Sequence, residues 1–298
     1  MERFDVLVIG GGAAGMAAAA AAAEAGGAAA LVEREPALGG ILRQCLHRGF
    51  GRTVFGADVS GPEFAEYWIR RVGASGAAVF TDTCVISLDR DRTALLSGPA
   101  GCRRIGFHTC ILAAGCYERT VESLPAAGTR PAGIYTAGTA QALMNLGHYS
   151  VGNRIVILGS GDVGQIMARQ FAQAEKEVVC LIEQRGSLGG LARNRRDCIE
   201  AYRIPVRLRT ALEEICGRAR INGVIVRDLD TGRREMLECD ALVTAIGLIP
   251  DRTLCRSLHA PEMPAWLKLC GNCDYVHDMV DNVIKEASAL GAEALRKR

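Results

Sequence analysis

Three glycines, Gly10, Gly12 and Gly15, stand at G-x-G-x-x-G spacing directly after the apolar run 4–9. This spacing suits a turn that holds phosphate, and each glycine answers a separate need. Gly10 permits the tight turn, Gly12 lets a pyrophosphate approach the backbone, and Gly15 lets the next helix lie close to the strand. Ala13 and Ala14 complete the turn, and the alanine-rich helix that follows offers free N–H groups and a positive dipole end to phosphate oxygens. Glu33 follows Gly10 by 23 residues, with Arg34 beside it. An acid at that distance can hydrogen-bond a ribose hydroxyl.

The pattern returns in the second half of the chain. Gly159, Gly161 and Gly164 repeat the spacing around Asp162 and Val163, which count with them as cofactor-binding residues, and Glu183 lies 24 residues after Gly159. Two such units predict two dinucleotide sites. At the second, a carboxylate favours a free ribose 2′-hydroxyl and repels a 2′-phosphate, which leans towards NADH. Arg185, two residues on, can offset that lean.

These residues need strands that end at the glycines and helices that begin there. Ala28–Val32 reads as the strand delivering Glu33. Arg154–Leu158, Gln165–Ala174 and Val178–Ile182 read as the strand, helix and strand of the second unit. Pro62–Val72 reads as an amphipathic helix, and Ala77–Leu88, Thr93–Leu96 and Arg103–Leu112 as a strand meander. A second meander comprises Val206–Glu214, Ile221–Leu229 and Glu235–Ile246, turning at Asp230-Thr231-Gly232; Met279–Leu290 is the last helix. The predicted fold is α/β: two Rossmann-like, three-layer dinucleotide-binding domains, each with a small β-meander, the second inserted in the first. Their boundaries fall at residues 1–120 with 251–298, and at 121–250.

Composition agrees with two domains. A chain of 298 residues exceeds the size at which one core stops growing. Its 49% hydrophobic and 23% charged content argues against a disordered chain, and a net charge of +2 is too small to suggest a nucleic-acid surface. The alanine run Ala17–Ala23 stops at Glu24, short of the about 18–20 apolar residues of a membrane span, and reads as a buried helix. No basic, apolar leader opens the chain. The 12 cysteines are scattered through apolar segments, which points to reduced thiols in the cytoplasm and not to a disulfide scaffold.

Four further segments carry a family resemblance. They are Leu38-Gly39-Gly40-Ile41-Leu42, Ile111-Leu112-Ala113-Ala114-Gly115, Ala245-Ile246-Gly247 running to Asp251, and Leu269-Cys270-Gly271-Asn272. With the glycine turns, the chain resembles the flavoproteins with two dinucleotide-binding domains, among them the thioredoxin reductases and pyridine nucleotide–disulfide oxidoreductases. The resemblance implies FAD on the first unit, held by the Gly10 turn, Glu33, Arg34, Gly40, Ile41, Leu42, Ala113, Ala114, Gly115, Gly271 and Asn272. It implies NAD(P)H on the second, with Gly247 at its exit. A narrower likeness lies in Gly40–His47, Thr129–Gln141 and Cys270-Gly271-Asn272 followed by Val276-His277-Asp278. These are similar to flavin subunits associated with glycerol-3-phosphate dehydrogenase, opine oxidase and hydrogen cyanide synthase. That subgroup implies a dehydrogenase subunit or electron-transfer protein as partner; a homodimer is a further expectation.

Two departures bear on this. Asn272 stands where the superfamily has an acid on the flavin's ribityl chain, and an amide can still hydrogen-bond there. The stretch 250–271 is shorter than the superfamily's, so a shortened, non-catalytic relative is one alternative.

Hydride transfer between nicotinamide and flavin needs no protein acid or base. The candidate residues therefore concern where electrons go next. Cys45 lies in the loop after Gly39-Gly40, without a nearby cysteine. Cys270 and Cys273 form a Cys-x-x-Cys before a helix, the basis of a thioredoxin-reductase-like alternative. His47 and His277 could stabilise a reduced flavin or relay a proton. No metal site is predicted.

Overall fold

A computed structural model describes residues 1–259 and 262–295. The chain divides into two compact units, Met1–Tyr117 with Ile249–Arg298, and Glu118–Leu248.

In the first unit, strands Ala78–Phe80, Ala29–Val32, Arg3–Ile9 and Gly101–Leu112 lie side by side in parallel, and Leu267–Leu269 adds to the far side of Gly101–Leu112. The first half of Gly101–Leu112 also pairs antiparallel with Thr93–Gly98, which pairs with Cys84–Asp89. Alternation along the first strand makes the layers. Val6 and Val8 face a core of helices Ala13–Glu24, Gly61–Ser75 and Val280–Glu293, while Leu7 and Ile9 face the meander side with Leu88, Leu96 and Phe107. The helix Ala13–Glu24 is buried nearly all round, and apart from Met16 its buried side chains are small. Gly291 of the last helix lies against the Ala18 carbonyl, where any Cβ would collide.

The second unit repeats this plan. Ile134–Thr136, Ala241–Thr244, Arg154–Leu158, Glu177–Ile182 and Val206–Arg207 form a five-stranded parallel sheet. One face is covered by helices including Asp162–Gln173; the other by a sheet of Ala127–Gly128, Thr210–Gly217, Ile221–Asp228 and Arg234–Leu237. The α/β fold with two Rossmann-type units is as expected.

Three predicted strands are each two. Ala77–Leu88 breaks at Thr81–Thr83, so that Ala78–Phe80 and Cys84–Asp89 lie at opposite edges of their sheet. Val206–Glu214 breaks at Leu208–Arg209, and Glu235–Ile246 breaks between Leu237 and Ala241. The first two breaks are the same device. Asp82 and Arg209 both take a left-handed conformation with φ of 49°. The following threonine then turns back, its hydroxyl donating to Thr81 O (2.9 Å) or Leu208 O (2.8 Å). Its N–H reaches Glu33 O (2.9 Å) or Glu183 O (3.0 Å). Within the stretch 250–271, Thr253–Leu258 forms a 3-10 turn, and Ala260 and Pro261 lie outside the described residues.

Candidate cofactor sites

The first glycine turn sits where the strands Arg3–Ile9, Ala29–Val32, Gly101–Leu112 and Leu267–Leu269 end, the edge at which open parallel sheets bind ligands. Gly10 has φ +104° and lies against the Ala113 carbonyl, while Gly15 lies under the Gly10 carbonyl with no room for a Cβ. Gly12 is different: a Cβ there meets nothing within 4 Å. Gly12 is also the N-cap of Ala13–Glu24, with no side-chain cap and no acid in the first turn. Open space before uncapped N–H groups is what a pyrophosphate fits.

Around this turn the fold gathers the other predicted segments. Glu33 is 7% exposed, and its carboxylate accepts from Gly11 N–H at 2.5 Å and Glu35 N–H at 2.8 Å. Arg34 is exposed, 3.7 Å from Glu35. Gly39 N–H donates to Gly11 O at 2.8 Å, and Gly40, with φ +50°, rests against Gly12. Leu42 is buried, whereas Ile41 is exposed. Ala113 and Ala114 lead into Gly115, whose carbonyl accepts from Asp251 N–H at 3.0 Å. Gly271, with φ +65°, lies against Ala14, and Asn272 follows it. The Asn272 amide accepts from His277 N–H at 3.0 Å and donates to Cys116 Sγ at 3.7 Å. Arg252 holds this turn from below, donating to the Cys273 and Asp274 carbonyls.

The redox candidates have less open surroundings. Burial pushes the Cys45 thiol up to about 12, and the thiol donates to Ile41 O at 3.2 Å. Burial thus disfavours its thiolate. His47 is half-buried, its Nδ1 3.0 Å from Arg48 O and its ring beside Phe50. The His277 side chain is 4% exposed, stacked on Tyr275, with Nε2 2.8 Å from Glu286. Its Nδ1 is sealed from solvent without a partner among the described residues. Neither ring nitrogen of His277 is open to a ligand in this conformation.

Cys270 and Cys273 are free thiols on opposite sides of their strand end. Cys270 packs in the helix-side core with Ile111 and Val283; Cys273 packs in the meander-side core with Leu258 and Leu267. Cys273 Sγ donates to Leu112 O at 2.8 Å. Burial raises both, Cys270 to about 12.

The second unit has the same cradle. Gly159, with φ +103°, lies against the Ala245 carbonyl, Gly164 lies under the Gly159 carbonyl, and Gly161 has open space. Glu183 accepts from Ser160 N–H (3.2 Å), from the Ser160 hydroxyl (2.5 Å) and from Arg185 N–H (2.9 Å). Burial alone would raise its carboxyl, but these hydrogen bonds outweigh burial and hold it below the ordinary glutamate range. Val163 is exposed in the first turn of Asp162–Gln173. Gly247 has φ +114°, and its carbonyl accepts from Arg119 N–H at 2.8 Å.

Several site residues escaped the sequence reading. Ser160 occupies the place of Gly11, and the buried Gln165 donates to Ser160 O (2.8 Å) and Gly189 O (2.7 Å). The signal was present: Leu188-Gly189-Gly190 repeats Leu38-Gly39-Gly40, five residues after the respective acid.

Comparison with known proteins places the chain. Residues 4–262 match the pyridine nucleotide-disulphide oxidoreductase family, and the chain belongs to it. That class comprises FAD- and NAD(P)-dependent oxidoreductases. Among curated proteins, the thioredoxin reductase of Treponema pallidum (strain Nichols) is 25% identical over 196 residues, covering 66% of this chain and 61% of that protein. The crystal structure of T. acidophilum thioredoxin reductase superposes with a TM-score of 0.80 at 18% identity, over 99% of this chain and 98% of that one. Lactococcus lactis thioredoxin reductase gives 0.79 at 17%, over 98% of both. Among the described residues, no helix is long and apolar enough to cross a membrane, and no group of three or more His, Cys, Asp or Glu could hold a metal ion.

Proposed function

We propose that this protein is an FAD-dependent NAD(P)H oxidoreductase of thioredoxin-reductase-like build, with FAD on the Gly10 turn and NADH favoured on the Gly159 turn. The observation that carries the reading is the pair of matched cradles: open space at Gly12 and Gly161, each beside a buried glutamate that holds the turn. Bound FAD supplies acceptance of a hydride, two electrons and a proton, from the reduced nicotinamide. The chain binds both dinucleotides and holds them against the glycine turns. Glu183, ionised at neutral pH, favours a 2′-hydroxyl over a 2′-phosphate. Anaerobic titration of the yellow protein with NADH tests this. Bleaching of the flavin is expected; a protein that holds FAD and is not bleached by NADH or NADPH overturns the reading.

Two kinds of acceptor are open to such an enzyme: a disulfide, or a dehydrogenase partner or small acceptor. The likeness to thioredoxin reductases and the Cys270-Gly-Asn-Cys273 sequence favour a disulfide. The separate packing of those two sulfurs, and the resemblance to dehydrogenase-associated flavin subunits, favour electron delivery to a dehydrogenase partner in the cytoplasm. Thiol counts before and after NADH reduction separate them. A gain of two, abolished by Cys273→Ser, identifies the disulfide enzyme; no gain excludes it and leaves a dehydrogenase partner or a small acceptor.

A further inference from the structure

The helix Asp162–Gln173 begins with a carboxylate at the place where Ala13 opens the helix of the first unit. An acid there faces any pyrophosphate on the glycine turn, and like charges repel. The fold draws this charge aside. Asp162 Oδ1 accepts from Leu191 N–H at 2.8 Å and from Asn194 Nδ2 at 2.6 Å. Asn194 is buried, and Gly190, with φ +70°, lies so close to Asp162 that a Cβ would approach Oδ1 to 2.6 Å.

The loop so fastened has a counterpart in the first unit. Both loops leave the sheet after the buried glutamate, carry Leu-Gly-Gly five residues on and an arginine, Arg43 or Arg193, ten residues on. Both rest their second glycine on the start of the glycine helix, Gly40 on Gly12 and Gly190 on Asp162. A ligand on the second turn therefore meets the loop 188–194 as one wall.

We infer that Asn194 is a positioning residue for the nicotinamide dinucleotide. Through Asp162 it fastens the loop 188–194 beside the glycine turn and turns the carboxylate away from the pyrophosphate. This rests on the NAD(P)H site proposed above. The test is the dissociation constant of NAD+ for the FAD-loaded protein by calorimetry, with KM and kcat for NADH-driven flavin bleaching beside it. Asn194→Ala and Asp162→Ala each remove a charge-assisted bond and are expected to raise Kd and KM about tenfold, with kcat falling less. Asp162→Asn keeps an oxygen for both donors and drops the charge, so its Kd should return to within about threefold of the wild type or fall below it. Unchanged Kd in Asn194→Ala overturns the inference, as does an Asp162→Asn protein as weak as Asp162→Ala. A wild type that binds no NAD+ or NADH overturns instead the site on which it rests.

Discussion

Asp281, in the first turn of the last helix, accepts the Thr53 N–H at 2.7 Å, joining that helix to a loop 228 residues earlier. Its other oxygen accepts from Gly51 N–H at 3.2 Å, and the residue is 6% exposed. One carboxylate thus satisfies two loop N–H groups and ties the C-terminal return to the segment after Gly40.

Asp281→Ala leaves those N–H groups without partners, which costs about 1–3 kcal/mol of stability. Urea unfolding of the FAD-loaded protein should show the loss, with Asp281→Asn intermediate. Equal midpoints for wild type and Asp281→Ala would rule out this role.

The paired glycines give the two proposed cofactor sites separate tests. A methyl at Gly15 collides with the Gly10 carbonyl, and one at Gly164 with the Gly159 carbonyl. Such overpacking costs about 1–3 kcal/mol locally. Gly15→Ala should purify with reduced flavin content. Gly164→Ala should stay yellow and lose bleaching by NADH. Flavin absorbance and anaerobic titration read the two effects independently, and a colourless Gly164→Ala protein contradicts the assignment.

Both glycine turns and both glutamates are legible in the chain because their chemistry dictates residue type and spacing together. Gly10 and Gly159 must reach positive φ, and Glu33 and Glu183 must arrive one helix and one strand later. The corners at Asp82 and Arg209 are not legible. Neither is a glycine, and their left-handed φ is upheld by backbone bonds to Glu35 and Arg185 that exist only once the sheet has formed. The apolar residues on either side of them read as parts of one strand. Asn194 is hidden for a related reason: its partner Asp162 lies 32 residues away, and no local pattern connects them.

Glu183 makes stability depend on pH in a stated direction. Its carboxyl is held low in the folded unit, so its contribution is present above the unfolded value of about 4.3 and is lost as pH falls through the lower folded value. Thermal unfolding should find Glu183→Gln less stable than wild type at pH 6–7. The gap should narrow below about pH 4. A gap that does not change with pH places the effect in packing and not in ionisation.

Thiol reactivity should divide the cysteines. Cys84 and Cys102 are exposed, while Cys270 and Cys273 are buried and raised, Cys270 to about 12. Alkylation at neutral pH followed by peptide mass spectrometry should label the first pair at least tenfold faster, roughly as thiolate fraction and access dictate. Rapid labelling of Cys270 and Cys273 in the oxidised protein would contradict their packing.

The uncapped start of Ala13–Glu24 has a thermodynamic consequence. With Gly12 offering no side chain, the first N–H groups of that helix would donate to the phosphate oxygens of FAD in the proposed site, so binding FAD would stabilise the helix start and with it the folded unit. By linkage, the melting temperature becomes a measure of free FAD: at a hundredfold excess over Kd the cofactor adds about 2.7 kcal/mol to the folded state. In that reading the folded population rises and falls with cofactor supply.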